Sequence, residues 1–234
     1  TYSDVDMLLE TNVPGQDLFG AVSSEVTGKD LQPILNAQTR LADLRGGVPL
    51  PREIDVFDAV GIDISADMLR KAWEIDPEGD YRLVHGADFR EIRNGAWDLV
   101  LSAFTFDNIP TRDLKVRTFR ALSGLLAPGG AIVNLVSSPD IYTHEWASFT
   151  TRDFPENKDA KTGEKVRIVM TDVDDRRPVE DIVWPEEAYR EVYGASGLEV
   201  VARHAPLGRE DEPYEWVSET RIAPWVVYVL KKIG

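Results

Sequence analysis

The stretch 60–65, which reads VGIDIS, most constrains the fold of this chain. Its apolar run is typical of a strand buried on both faces of a parallel sheet. Ser65 suits the N-cap of a helix over 66–75, and Asp67 suits the positive first turn of that helix. In an open α/β sheet, an acid at the carboxyl end of a strand points into the ligand crevice and can accept both hydroxyls of a ribose. We therefore predict that Asp63 binds a sugar diol; the alternative is that it only caps the helix.

Apolar runs and helical stretches alternate along the rest of the chain in the same way. Such alternation indicates an α/β fold with a doubly wound, mostly parallel sheet. Two late strands have no helix between them, so we predict that they form an antiparallel pair at the sheet edge. The predicted strands are 41–44, 60–63, 81–84, 97–102, 131–136, 198–203 and 225–230. The predicted helices are a short one that begins at 30–35, followed by 66–75, 112–126 and 185–195.

The alternation breaks at Ser137, after the fifth predicted strand. The segment 137–185 is rich in aromatic residues and contains one strand-like run at 166–170, so we interpret it as a lid folded over the ligand crevice. We expect a single domain over 1–234, divided into an N-terminal cap (1–40), a cofactor-binding core (41–136), the lid (137–185), and a C-terminal helix and strand pair (186–234).

The charge balance restricts the class of ligand. The chain has 26 Lys and Arg against 41 Asp and Glu, a formal net charge of −15. Proteins that follow a phosphate backbone normally carry a basic face, and the basic residues here are scattered. Neither nucleic acid nor a membrane is therefore expected as a partner, and a small molecule is favoured. The absence of cysteine fits a cytoplasmic protein without thiolate metal ligands, and no metal site is predicted. The oligomeric state stays open.

Five short motifs stand at the carboxyl ends and turns of the predicted strands. They are DLRGG at 43–47, GIDIS at 61–65 with Met68 and Leu69, ADF at 87–89, WDLVLS at 97–102 and LLAPGG at 125–130. In this order and spacing they resemble the motifs of the class I S-adenosylmethionine-dependent methyltransferases. The resemblance implies a Rossmann-like methyltransferase fold, in which the two late strands complete a seven-stranded sheet. Arg45 and Pro49 stand where that family usually has glycine, and only Gly47 matches.

The resemblance also implies roles for individual residues toward S-adenosylmethionine and its product S-adenosylhomocysteine. Asp63 would hold the ribose and Asp88 the adenine amino group. The other implied contacts are Ile64, Met68, Ala87 and Phe89 around the adenine ring, Asp43, Gly46 and Gly47 at the amino-acid end, and Ser102, Ala103 and Phe104 beneath the sulfonium.

Candidate acceptor-binding residues lie mostly in the lid. His144 is the best candidate general base, with Glu145 as the group that orients it, although an amine acceptor needs no base. An aromatic pocket for a planar or cationic small molecule is the sharper hypothesis, and core packing is the alternative. The candidate substrate-binding residues are Tyr2, Tyr142, Trp146, Trp184 and Glu219.

Three other functions stay open from the sequence. The altered glycine loop is compatible with a cofactor-free, methyltransferase-like partner subunit. The cofactor's positive sulfonium could also serve a cyclisation or rearrangement without methyl transfer. A nicotinamide oxidoreductase would use a strand-end acid for ribose as well, but no intact G-x-G-x-x-G follows the first predicted strand.

Overall fold

A seven-stranded sheet forms the centre of the protein in this computed structural model, which describes residues 40–43 and 58–234, with side chains from residue 60 onward. Its strand order is β3-β2-β1-β4-β5-β10-β9, which confirms the predicted α/β class. The strands are β1 (Arg40–Asp43), β2 (Asp58–Asp63), β3 (Asp80–Leu83), β4 (Trp97–Ala103), β5 (Leu126–Ser137), β6 (Phe149–Thr150), β7 (Lys165–Met170), β8 (Val179–Ile182), β9 (Leu198–His204) and β10 (Trp225–Lys232); the helices are α1 (Ala66–Ile75), α2 (Arg112–Leu125) and α3 (Glu186–Ala195).

Parallel pairing brings the carboxyl ends of five strands to one edge of this sheet. Strand β1 pairs in parallel with both β2 and β4, β2 pairs in parallel with β3, and β4 pairs in parallel with β5. Strand β10 is antiparallel to both β5 and β9, which confirms the predicted late antiparallel pair. The loops that follow β2, β3 and β4 therefore meet at the same edge.

The helix after β2 begins as the sequence predicts. The Ser65 hydroxyl accepts a hydrogen bond from the Met68 N–H at 3.3 Å, so Ser65 is the N-cap of α1. The apolar face of α1 buries Met68, Leu69 and Ala72. The predicted short helix at 30–35 and the glycine loop lie outside the described residues.

Alternate residues of the central strands pack into two separate cores. Val100 and Ile132 face the core beneath α2 and α3, whereas Leu101 and Val133 face the opposite side of the sheet. Helix α2 contributes residues such as Phe119, which is fully buried. Burial of one such side chain is worth about 1.5–3 kcal/mol, so the α2 core is a main source of the stability of the sheet.

The segment 137–185, called the insertion below, contains more strand than the sequence predicts. In place of one strand-like run, β6, β7 and β8 form a second, antiparallel three-stranded sheet. The strands on either side of β7 are short, at two and four residues, which is why no periodicity in the sequence indicated them. Residues such as Trp146, Phe149 and Val166 give this sheet a hydrophobic cluster of its own.

Strand β5 begins five residues earlier than predicted, directly after α2. The predicted turn at 128–130 is instead an irregularity within the strand, where the pairing register with β4 shifts between Trp97 and Leu99. Gly129 has a φ of +83°, a conformation that glycine adopts without steric cost. None of the helices in residues 58–234 has the length and apolar character to cross a bilayer.

Replacement of Gly130 by alanine is expected to destabilise the protein by about 2 kcal/mol, since overpacking of a rigid site usually costs 1–3 kcal/mol. A Cβ at this position would lie 2.8 Å from the Trp97 carbonyl oxygen and 3.1 Å from that of Asp98, both of which belong to backbone. The measurement is urea unfolding, with Gly124→Ala as the matched control. Gly124 lies on the exposed side of α2, where alanine should stabilise by up to about 1 kcal/mol. Equal effects of the two substitutions would contradict this account.

Candidate functional site

A cavity of about 280 Å³ opens at the edge where the parallel strands end. Its walls come from the ends of β2 and β3, from the segment after β4 and from the first turns of α2. Most of the lining is apolar, with one carboxylate at its rim, a combination typical of a small-molecule site. The lining residues are Ile62, Asp63, Ile64, Val84, Gly86, Ala87, Phe89, Thr105, Phe106, Asn108, Ile109, Pro110, Leu114 and Thr118.

Asp63 is both a helix-start residue and part of the cavity. Its carboxylate Oδ1 accepts the Ser65 N–H at 2.7 Å, and its side chain is largely buried at the cavity wall. The Asp63 carbonyl also accepts the Val84 N–H, which ties the end of β2 to the end of β3. The two interpretations made from the sequence are therefore compatible: the same carboxylate stabilises the turn and borders the cavity.

The apolar side of the cavity contains three of the four residues predicted to surround a ring. Ile64, Ala87 and Phe89 line it, and Ile64 is 57% exposed, so its side chain is available to a ligand. Met68 is 1% exposed, lies on the buried face of α1 and does not line the cavity. The prediction for Met68 is corrected accordingly, because the first turn of α1 points this side chain into the core.

Asp88 lies between two lining residues, but its carboxylate is directed to Arg90. Arg90 Nη2 approaches Asp88 Oδ2 at 2.5 Å, and Arg90 Nε lies 2.8 Å from Oδ1. These hydrogen bonds lower the pKa of Asp88 below its usual value of 3.8. The carboxylate is thus held in its charged, accepting form, while its contact with an adenine amino group stays a prediction.

The residues after β4 line the cavity differently from the prediction. Ser102 is fully buried within the sheet, and Ala103 and Phe104 pack with the core on the opposite face. Phe104 has a φ of +58°, a left-handed conformation that turns the chain sharply. The lining begins one residue later, at Thr105, and continues to Pro110. The proposed contact of Ser102–Ala103–Phe104 with a sulfonium is therefore not supported by the described cavity.

The first turns of α2 complete the cavity wall. The sequence analysis did not predict that residues of this helix line the cavity. Leu114 and Thr118 are four residues apart and so lie on one face of the helix. Thr111 caps this helix by accepting the Leu114 N–H. The signal that could have indicated them is this spacing, together with the position of α2 directly after a parallel strand.

Four residues predicted to bind substrate have internal partners instead. The Tyr142 hydroxyl donates to Asp181 at 2.5 Å, and the Trp146 Nε1–H donates to the Ile141 carbonyl. Trp184 is buried in the α2 core, and the Glu219 carboxylate accepts the N–H groups of Ala147, Val217 and Ser218. These contacts support the core-packing alternative, because none of the four side chains lines the cavity. Tyr2, Gly46, Gly47 and the side chain of Asp43 lie outside the described residues.

His144 is oriented by a different group from the one predicted. Its Nδ1 lies 3.0 Å from the Asp140 carbonyl oxygen. Nδ1 also lies 3.1 Å from the Thr143 hydroxyl oxygen, which can donate or accept. A hydrogen on Nδ1 satisfies both contacts, because the Asp140 carbonyl can only accept, and Nε2 is then the basic nitrogen of the neutral ring. Glu145 instead accepts hydrogen bonds from Thr150 and Thr151, so its predicted role as orienting group is corrected. Within the described ranges, no group of three or more His, Cys, Asp or Glu is placed to hold a metal ion.

Comparison with known proteins finds similarity to methyltransferases in both sequence and fold. Residues 47–134 match the methyltransferase-domain family. An S-adenosylmethionine-dependent methyltransferase from Methanosarcina mazei superposes with a TM-score of 0.63 at 12% identity, over 88% of this chain and 98% of that one. A second from Clostridium acetobutylicum gives 0.58 at 13% identity, over 93% and 99%.

The CcbJ methyltransferase from Streptomyces caelestis gives a TM-score of 0.59 at 16% identity, over 91% of this chain and 90% of that one. At such identities the likeness establishes a shared fold. No curated protein matches the sequence.

Replacement of Arg90 by alanine should raise the pKa of Asp88 toward its usual value, because the guanidinium is the main cause of its lowering. The measurement is an NMR titration of the Asp88 carboxyl carbon. Arg70→Ala removes an exposed arginine that pairs with Asp67 and Glu74 and should leave the pKa of Asp88 unchanged. An unchanged midpoint in Arg90→Ala would show that the ion pair does not persist in solution.

Proposed function

We propose that this chain, which belongs to the class I S-adenosylmethionine-dependent methyltransferases, transfers the methyl group of that cofactor to a small-molecule acceptor. The family supplies the cofactor, and the residues assigned to it below are part of the proposal. The observation that carries the assignment is the buried Asp63 carboxylate at the rim of an apolar cavity. A buried acid beside such a cavity matches a ligand with a diol next to a planar, apolar ring.

The residues that surround the cavity fit the adenosine part of the cofactor. Asp63 would accept hydrogen bonds from the ribose hydroxyls while its Oδ1 keeps the Ser65 N–H. Ile64 and Phe89 would contact the two sides of the adenine ring, and Asp88 would accept from its amino group. The segment 105–110 and α2 would exclude water from the far side.

When bound, S-adenosylmethionine supplies an electrophilic methyl group on a positive sulfonium. The protein's part is then to orient the acceptor and to receive its proton, since proximity provides most of the acceleration. We propose His144 Nε2 as the proton acceptor for a hydroxyl or other acidic acceptor. The Asp140 carbonyl supports this role, because it fixes the tautomer in which Nε2 is unprotonated.

Two observations support a small acceptor. The net charge of −15 disfavours a polyanionic substrate. The insertion also packs its own hydrophobic cluster against Trp225, at the edge of the sheet where the parallel strands end, and we propose it as the part that binds the acceptor.

Replacement of Asp63 by alanine should weaken S-adenosylhomocysteine binding about a hundredfold, which corresponds to the loss of two hydrogen bonds to a charged group. The measurement is isothermal titration calorimetry. Asp63→Asn keeps an acceptor for the Ser65 N–H and separates ribose binding from stability of the turn. Asp67→Asn, which alters an exposed acid in the first turn of α1, is the control. Unchanged affinity in both Asp63 variants would reject the assignment.

Replacement of His144 by alanine should lower kcat at least tenfold and leave S-adenosylhomocysteine affinity unchanged, because general bases typically contribute 10²–10⁴-fold. Acceptors are first identified by a mass-spectrometric screen of metabolites for a gain of about 14 Da, since the transferred methyl group replaces a hydrogen of the acceptor. Glu145→Gln is the matched control, since its carboxylate binds Thr150 and Thr151. A rate within twofold of the parent would remove His144 as base.

The alternative functions are distinguished by ligand titration of the unmodified protein. Binding of neither S-adenosylmethionine nor S-adenosylhomocysteine would support a cofactor-free partner subunit. Binding of NADH alone would favour an oxidoreductase. Sulfur-ligand binding without a methylated product in the metabolite screen would favour a cyclisation or rearrangement.

A further inference from the structure

Lys115 on α2 is a fully buried lysine that the proposed methyl transfer does not use. Its Nζ donates to the carbonyls of Phe106 and Asp107, the latter at 3.2 Å, and lies 3.5 Å from the Tyr189 hydroxyl. A buried ammonium is costly unless its hydrogens are bonded, and here two of its partners belong to the segment that lines the cavity. Lys115 thus fastens that segment to the helix whose Leu114 and Thr118 line the same cavity.

Asp107 fastens the same segment from its other side. Its Oδ2 accepts the Ser137 N–H at 2.9 Å, and its Oδ1 accepts the Tyr189 hydroxyl at 2.7 Å. The cavity wall 105–110 is therefore tied to α2 through Lys115, to the end of β5 through Ser137 and to α3 through Tyr189.

Groups from several elements face the ammonium. They are Asp107 after β4, Asp181 on β8, Tyr189 on α3 and the ring of Trp184, whose centroid is 4.6 Å from Nζ. Asp181 in turn accepts the hydroxyl of Tyr142 and the Ile182 N–H. Because Tyr142 and Asp181 belong to the insertion, the cluster joins the insertion to the cavity wall.

We propose that Lys115 is a positioning residue for the cofactor, whose charged ammonium holds the wall 105–110 in place and couples the seating of the insertion to cofactor binding. The proposal rests on the assignment of the cavity to S-adenosylmethionine. The coupling has a physical basis, since the negative charges of Asp107 and Asp181 stabilise the ammonium that bonds the wall.

The charge of Lys115 can be varied with pH. Burial lowers the pKa of Lys115 to about 8, while Asp107 and then Asp181 oppose this shift. Burial also raises the pKa of Asp107, and it raises that of Asp181 to about 7 with a further contribution from the nearby Asp107. Asp181 is therefore mostly ionised by the time Lys115 titrates. As the pH rises through about 8, the ammonium loses its charge and its bonds to the wall weaken. Cofactor affinity should fall over the same range.

The test measures S-adenosylhomocysteine affinity by calorimetry from about pH 6.5 to about pH 9.5, a range that brackets both pKa values. The parent should lose affinity severalfold through about pH 8. Lys115→Met should bind about tenfold more weakly at pH 7 and lack that step, because a thioether has no charge to lose. Any titration of the ligand itself is shared by both proteins and cancels in the comparison.

Asp181→Asn tests the link to the insertion. This substitution removes a negative charge that favours the ammonium of Lys115. The decrease in S-adenosylhomocysteine affinity should therefore occur at lower pH than in the parent, although residue 181 does not line the cavity. Lys158→Met and Asp159→Asn alter exposed residues of the insertion and should reproduce the parent profile. Where Lys115→Met does not fold, the pair Lys115→Met with Asp107→Asn removes the ammonium together with its strongest electrostatic partner and is expected to show the same flat, weakened profile.

Two results would overturn the inference. One is a Lys115→Met protein, or the double variant, that binds with parental affinity and parental pH dependence. The other is an Asp181→Asn profile that coincides with that of the parent, which would remove the coupling to the insertion. A parent protein without any S-adenosylhomocysteine binding would instead reject the proposed function on which the inference rests.

Discussion

Parallel strand pairing is the constraint on which the candidate site depends. Strands β2, β1 and β4 run in the same direction with fixed registers, such as Ala42 opposite both Val60 and Val100. The carboxyl ends of these strands therefore lie at one edge of the sheet, where the segments after β2 and β4, which are distant in sequence, meet. A register slip in one strand would turn its apolar residues to the wrong face and move its loop out of the site.

Most of the sheet and the position of Asp63 could be predicted from the sequence, because buried parallel strands leave a strong apolar signal and an acid at a strand end stands out against it. The residues after β4 that line the cavity could not be predicted in this way. Phe104 has a left-handed backbone conformation that phenylalanine seldom adopts, and no neighbouring residue in the sequence indicates this conformation. The cavity lining therefore starts at Thr105, although the strand pattern alone suggests the three residues before it. The short strands beside β7 were not predicted either, because two to four residues are too few to show the alternation of apolar and polar residues that indicates a strand.

The buried charge cluster shows a further limit of sequence reasoning. Lys115 lies four residues before Phe119 and seven before Leu122, both fully buried, so helical spacing alone places it on the core face of α2. The groups around the Lys115 ammonium belong to residues 107, 181 and 189, which are distant in sequence and come together only in the folded protein. The burial of this lysine could thus be predicted from the sequence, whereas the identity of its partners could not. In the same way, aromatic residues of the insertion could be identified as a group, but the internal hydrogen bonds of Tyr142 and Trp146 could not be predicted.

The turn at Phe104 has a consequence for the biosynthesis of the protein. A left-handed phenylalanine is strained by about 1–3 kcal/mol, and its ring packs edge-on against Trp225, with 5.9 Å between ring centroids. Trp225 opens β10, which inserts between β5 and β9. During synthesis, the residues assigned here to the cofactor are therefore made well before the strand that supports this turn. The pocket cannot reach its final shape until β10 has been synthesised and has paired with β5.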